Sequence, residues 1–407
     1  MKNTLNYSVN ATCPACGYSF ATKIFSDKQP LSTIGWPKDA RQASSMKSLP
    51  LDFVRCNDCG HIHNISFDYK EVPYSKKPNL MFNQGKNWSE FIKKIINEII
   101  SKLPENPNIV EIGYGDGSFL SSLQQKIKKG NFYGFDPHGA TSNNNKLKLY
   151  KKLFHPLEQI PRLLPNLIIS RHVLEHMSNP LSFLQSISHS TSLTKINCIA
   201  YLEVPCIDNA INYKRTVDFY YEHNSHFTSN SFSKMVNKSN PHFCEIGHGY
   251  NKEVIYGLIE WGNIDNQEQN INESVSFFNS AEKGKNKINK QLDKLIKKGL
   301  KLAIWGGVGK SASFINHYKL DNKNFPLVVD SDKDKVGMHV PGMGQKILYR
   351  DYLKSNPVEI IIIPPQWRAN DILSEIYSEN ITFDKILIEH EGELIDFLND
   401  NHPYKEN

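Results

Sequence analysis

At 407 residues the chain exceeds what one core usually supports, so two or three domains are expected. Its 48 basic and 42 acidic residues are interspersed and leave a formal net charge of +6. That is a solvated mixed surface, on which a nucleic-acid partner is a minor alternative and not the expectation. No apolar run approaches the ~20 residues of a bilayer span, and residues 1–16 lack a signal-peptide core, so a cytoplasmic location is expected.

The first feature in chain order is a pair of cysteine knuckles, Cys13-Pro-Ala-Cys16-Gly and Cys56-Asn-Asp-Cys59-Gly-His, separated by 39 residues. In each, the glycine lets the backbone fold beneath the sulfurs and point amides at them. Four thiolates close a tetrahedral shell around zinc and leave no position for water, so the expected role is structural. His61 and His63 are possible substitutes, but four cysteines suffice. Cys198, Cys206 and Cys244 are expected to be inert thiols. This zinc-binding module is read as residues 1–75.

Residues 87–103 carry Phe91, Ile92, Ile95, Ile96, Ile99 and Ile100 at helical spacing, before Pro104 and Pro107. From 108 to about 205 strand and helix alternate: NIVEIG, a helix, NFYGFD, a loop, NLIIS, a helix, CIAYLEVP. The alternation predicts a parallel sheet with crossover helices over a domain spanning 76–262. Residues 263–298 are polar and read as a helical linker. A second alternation (KLAIWGG, PLVVDSD, EIIIIPP, KILIEHEG) fills 299–407. The fold class is therefore α/β, two Rossmann-like units behind a small zinc-binding module.

Glu111 ends the first strand of the first unit, and Gly113, Gly115 and Gly117 follow at alternate positions. Dinucleotide-binding folds use a similar turn, but there the spacing is G-x-G-x-x-G. Asp136 ends the next strand, where a carboxylate can accept both hydroxyls of an adenosine ribose. A tight glycine turn with no phosphate to cradle suits S-adenosylmethionine. Two clusters lie beyond other strand ends, where open sheets bind ligands. Ser170-Arg171-His172-Val173-Leu174-Glu175-His176 would, if helical, set His172 and His176 one turn apart, which permits a metal pair without an identified third ligand. His172 is otherwise expected beside the cofactor. Phe219-Tyr220-Tyr221-Glu222-His223-Asn224-Ser225-His226-Phe227 concentrates groups that can remove and relay a proton.

The glycine loop resembles motif I of class I methyltransferases, and Asp136 resembles their second-strand acid. The order of a two-knuckle zinc module, a methyltransferase domain and a second Rossmann-like domain resembles the sugar C-methyltransferases of deoxysugar pathways. That resemblance extends over Trp305-Gly-Gly-Val-Gly-Lys310, Val329-Asp330-Ser331 and Ile363-Pro364-Pro365-Gln366-Trp367. It implies an S-adenosylmethionine-dependent enzyme that methylates carbon on a nucleotide-linked keto sugar through an enolate. Tyr220-Tyr-Glu222-His223 matches the family's Tyr-x-Glu-His signature. By that match His223 is implied as the base, Glu222 as the group orienting its ring and Tyr220 as a partner of the substrate oxygen. His176 matches the family's histidine after the fourth strand. Tyr74 and Tyr221 are taken as substrate contacts, with Asn79-Leu-Met-Phe-Asn-Gln84 departing from the family pattern.

The stretch Trp305-Gly-Gly-Val-Gly-Lys-Ser311 ends like a phosphate-binding loop, but Ile304 stands where the P-loop requires its first glycine. It is read instead as the first strand-to-helix turn of the second unit, with Gly307 and Lys310 on the substrate side, and a turn that only packs is an equal alternative. Alternatives are an O- or N-methyltransferase acting on a saccharide or small metabolite, and a zinc module that recognises RNA or protein. The sequence leaves the oligomeric state open.

Overall fold

The computed structural model describes residues 7–33, 36–72, 85–140, 146–262 and 265–405. The chain divides into two compact units, residues 1–265 and 266–407.

The first unit begins with β1 (Ser8–Asn10), β2 (Phe20–Gln29), a short helix α1 (Ala40–Ser44), β3 (Leu49–Cys56) and β4 (Ile62–Asn64). The amphipathic helix expected at 87–103 is α2 (Lys86–Ser101), which buries Trp88, Ile95, Ile96 and Ile99. Next come β5 (Asn108–Ile112), α3 (Ser118–Lys126), β6 (Asn131–Phe135), β7 (Leu147–Tyr150), α4 (Pro156–Leu163), β8 (Leu167–Arg171), α5 (Pro180–Thr194) and β9 (Cys198–Pro205). The unit ends with α6 (Asp208–Asn212), β10 (Ser225–His226), α7 (Ser229–Asn237), β11 (Phe243–Gly249) and β12 (Val254–Trp261).

The main sheet has the order β11-β12-β9-β8-β5-β6-β7. Strands β5 to β9 are parallel, as crossover helices require, and the β11–β12 hairpin lies antiparallel against β9. The strands are nearly continuous apolar runs because both faces are covered. From β5 the chain moves outward to β6 and β7, then returns to β8 and moves the other way. The carboxyl ends of β5 and β8 therefore flank the topological switch point, where open sheets hold ligands.

The cysteine-bearing sheet has the order β1-β2-β3-β4-β10. Its last strand comes from the segment after β9, pairing Ser225 with His63 and His226 with Ile62. The Tyr220–Phe227 stretch is thus pinned between the two sheets. Asn230 Nδ2 donates to the Cys59 carbonyl at 2.7 Å, and Lys234 pairs with Asp58 at 2.6 Å, tying the second knuckle to α7.

The second unit opens with α8 (Asp265–Lys297), whose Ile288 and Leu292 are buried in the core of the following sheet. Then come β13 (Leu302–Trp305), α9 (Lys310–His317), β14 (Val328–Asp330), β15 (Ile347–Tyr349), α10 (Tyr352–Ser355), β16 (Ile360–Ile362), α11 (Ala369–Ser378), β17 (Lys385–His390) and β18 (Glu393–Asp396). The sheet order is β15-β14-β13-β16-β17-β18, parallel except for β18. Among the described residues no helix is long and apolar enough to cross a membrane.

Candidate functional site

The four knuckle cysteines converge. Cys13 Sγ lies 3.6 Å from Cys59 Sγ, and Cys16 Sγ lies 3.6 Å from Cys56 Sγ, with all four sulfurs within 4.8 Å of one another. An ion held about 2.3 Å from four sulfurs sets them about 3.8 Å apart, so the cluster fits tetrahedral zinc. All four are buried, and backbone amides approach the sulfurs, as at Asp58 N to Cys56 Sγ, 3.4 Å. The hydrogen bond from Cys13 pulls the Cys59 thiol down to about 6, while burial pushes Cys16 up to about 12. His61 and His63 lie outside the sulfur cluster, and His61 Nε2 bonds Ser225 Oγ at 3.2 Å.

A cavity of about 900 Å³ opens at the switch point of the main sheet. Its lining joins Glu111, Gly113, Gly115 and Asp136 to His172, Glu175, His176, Tyr220 and His223. Gly113 has φ +71°, and a Cβ there would meet Val173 Cγ2 at 2.3 Å, so only glycine lets the β5 turn pass beneath the segment after β8. Gly115 N donates to Asp136 Oδ2 at 3.0 Å, and His138 N donates to Oδ1 at 2.8 Å. A carboxylate accepts about four hydrogen bonds, so Asp136 is fixed in orientation with capacity left for a ligand. Glu111 is 3 % exposed, and its Oε2 has no hydrogen-bond partner. Burial pushes its carboxyl up to about 8, with Asp116 and Asp136 adding and Arg171 opposing.

Behind this loop lies an ion network that only the fold assembles. Arg171 stands opposite Glu203 in the β8–β9 register and pairs with it at 2.9 Å. Tyr201 also donates to Glu203, at 2.5 Å. His172 Nε2 is 3.1 Å from Glu203 Oε1, and its Nδ1 is 3.5 Å from Glu175 Oε1. Burial opposes charge on His172, but Glu175 and Glu203 together outweigh it and lift its pKa to about 9. The expected helix over 172–176 is absent. His172 sits at φ +51°, and only Leu174–His176 form a single 3₁₀ turn, so the His172/His176 metal pair does not form. A carboxylate partner for each nitrogen holds the His172 ring in the network.

On the opposite wall Tyr220 Oη and His223 Nε2 share a hydrogen bond of 2.8 Å. The His176 ring packs edge-on against His223, with centroids 4.9 Å apart. His176 Nδ1 lies 2.8 Å from the Glu222 carbonyl oxygen. A carbonyl only accepts, so Nδ1 carries a proton, and in the neutral ring it is Nε2 that has the lone pair. Burial, reinforced by His176 and His226, pushes the His223 pKa well below the usual imidazole range, and the ring is neutral. Burial raises the Tyr220 phenol above its ordinary value.

Two residues of this segment take other places than expected. Glu222 does not orient the ring of His223; its Oε1 accepts the amides of Ser32 (2.7 Å) and Thr33 (2.6 Å) and the Thr33 hydroxyl. Tyr221 does not reach the cavity: it is 1 % exposed, packs on Phe67 and accepts the Asp68 amide at 2.8 Å. Tyr221 lies in a turn, and the two side chains leave the backbone in different directions, Tyr220 to the cavity and Tyr221 to the core. Tyr74 falls outside the described residues. Glu203, an acid inside the apolar strand CIAYLEVP, has no role in the sequence reading, and Glu175 and His226, named there only within their clusters, are both buried and both line the cavity.

In the second unit Gly307 N points at Asp330 Oδ2 over 3.4 Å, and Lys310 Nζ lies 5.3 Å from the centre of the Trp367 ring.

Two family models match the chain: a methyltransferase domain over residues 85–240 and a C-methyltransferase C-terminal domain over residues 265–383. No curated protein matches it in sequence. Among solved structures it is similar to human N-acetylserotonin methyltransferase in complex with SAM, at 13% identity and TM-score 0.34 over 43% of this chain and 53% of that one. The chain therefore spans about half the length of that enzyme. It is also similar to the plantazolicin methyltransferase BpumL with SAH (14% identity, TM-score 0.33, 43% of this chain, 83% of that chain). A third is magnesium protoporphyrin IX methyltransferase from Synechocystis PCC 6803 with SAH (12% identity, TM-score 0.32, 45% and 90%).

Proposed function

We propose that the protein transfers a methyl group from S-adenosylmethionine to carbon beside a carbonyl, on a nucleotide-linked keto sugar. The observation that carries this reading is the single cavity shared by the Gly113–Gly117 turn and the Tyr220–His223–His176 cluster. The matched C-methyltransferase C-terminal domain supports carbon as the acceptor, and the resemblance to sugar C-methyltransferases supports the substrate class.

The residues at the switch point fit the cofactor. Asp136 has acceptor capacity to spare for ribose hydroxyls, and Glu111, whose buried Oε2 has no partner, can accept from an ammonium group that displaces its proton. Gly113 and Gly115, which line the cavity, bring backbone close enough for contact, whereas Gly117 opens α3 and is not part of the lining. When bound, the cofactor supplies an electrophilic methyl group.

The chain's own groups act on the acceptor. A carbonyl acidifies its neighbouring C–H, and neutral, buried His223 has the lone pair to take that proton. Tyr220, hydrogen-bonded to His223, steadies the ring and offers a donor to the oxygen that gains charge. The Glu222 carbonyl fixes the tautomer of His176, whose Nε2 stands beside the same ring. The four-cysteine centre holds the sheet whose edge strand β10 anchors this segment. The test is exchange of substrate C–H with solvent deuterium in a panel of keto-sugar nucleotides. Wild-type protein should catalyse exchange and His223→Ala should not; undiminished exchange in the variant removes His223 as the base.

A further inference from the structure

A second group of metal-ligating atoms lies inside the cavity, more than a hundred residues in sequence from the nearest knuckle cysteine. We propose that Glu175, His176 and His223 form a binding site for a divalent first-row transition metal. One oxygen or nitrogen from each lies within 4.8 Å of the other two.

Three features set this group apart from a chance cluster. Glu175 is 1 % exposed, and neither carboxylate oxygen has a hydrogen-bond partner, although Oε1 has His172 Nδ1 at 3.5 Å. His172, held protonated between Glu175 and Glu203, is one cationic neighbour of Oε1, and Oε2 is left buried with no partner, a valence that a metal ion would fill. His176 donates Nδ1–H to a backbone carbonyl, the outer bond that ordinarily fixes a metal-binding imidazole and leaves Nε2 to ligate. The second histidine is held by the Tyr220 hydroxyl through Nε2, which leaves Nδ1. Two imidazoles and one carboxylate suit zinc, iron, cobalt or nickel better than magnesium or calcium. Ligand atoms about 2.1 Å from a common ion stand about 3.4 Å apart in a tetrahedron, so binding draws the three groups together from a spacing of up to 4.8 Å.

Such an ion takes the lone pair of His223 that proton abstraction needs. Metal binding and the proposed base role therefore exclude each other, and a filled site silences C–H exchange. Binding itself stands apart from that reaction, because it is read by counting metal.

The test is titration of Co²⁺ into full-length protein whose four-cysteine centre is filled with zinc. The expected result is one further equivalent per chain, with visible d–d bands and no thiolate-to-cobalt charge transfer. Glu175→Gln, His176→Asn and His223→Asn should each weaken that equivalent at least about tenfold while thermal unfolding stays cooperative. Glu175→Asp, which keeps the charge, serves if Glu175→Gln does not fold. Absence of a further equivalent overturns the site. So does growth of thiolate charge transfer alone, or a further equivalent indifferent to all these substitutions.

Discussion

The two Rossmann-like units use the same local device and finish it differently. In each, a glycine amide in the turn after the first strand faces an acid ending the neighbouring strand: Gly115 to Asp136 at 3.0 Å, Gly307 to Asp330 at 3.4 Å. In the first unit the turn faces a cavity, and Glu111 keeps a buried oxygen without a partner. In the second, Asp330 is engaged by the Gly307 and Asp332 amides and by Lys335 at 3.8 Å. Ser311 Oγ turns back to the Trp305 carbonyl at 3.0 Å, and Lys310 lies over Trp367. Glycine there is a packing requirement, since a Cβ on Gly307 would meet Ile347 Cδ1 at 2.3 Å. A glycine turn marks a place where backbone comes close to something; unfinished polar valences mark where that something is a ligand.

Substitutions should separate the units in graded fashion. The largest effect is expected of His223→Ala, a fall in methyl transfer of about 10²–10⁴-fold with cofactor affinity kept, measured by steady-state kinetics and calorimetry. Gly113→Ala, forced onto Val173 at positive φ, should weaken cofactor binding by about tenfold or more and cost about 1–3 kcal/mol of stability. Gly307→Ala should cost about 1–3 kcal/mol in thermal unfolding yet leave cofactor affinity unchanged. Equal loss of cofactor affinity in both glycine variants would erase the distinction between the turns.

A further expectation is a pH dependence of stability, separate from the activity. The Glu111 carboxyl titrates at about 8 in the folded chain against an ordinary 4.5, so the folded state holds a proton that the unfolded state has released. Its contribution to stability is full below about pH 4.5 and is lost as pH rises through about 8. Glu111→Gln should flatten the fall in melting temperature between pH 5 and 8. Unchanged slopes would show that Glu111 is not held protonated.

The architecture was legible because periodicity and strand-end glycines are local signals. The alternation over 108–205 became β5, β6, β8 and β9, with β7 and α4 where a loop was expected, and the second alternation became β13, β14, β16 and β17, with β15 and α10 lying between PLVVDSD and EIIIIPP. The cysteine spacing likewise announced a cluster that closes to 3.6 Å edges. The site was legible only in part, because neighbours in sequence diverge in space. Tyr220 faces the cavity while Tyr221 enters the core, and Glu222 turns to Ser32 and Thr33, about 190 residues away in sequence, instead of to His223. Pairings such as Arg171 with Glu203, or His172 with Glu175, depend on sheet register and on a positive φ, which no spacing rule reports.

The central claim is that carbon receives the methyl group. Incubation with ¹³C-methyl-labelled cofactor and the panel of keto-sugar nucleotides, followed by carbon NMR of the product, tests it directly. The expected product shows one-bond coupling between the labelled methyl and a ring carbon beside the carbonyl. A label that appears only as an O-methyl or N-methyl resonance would contradict it.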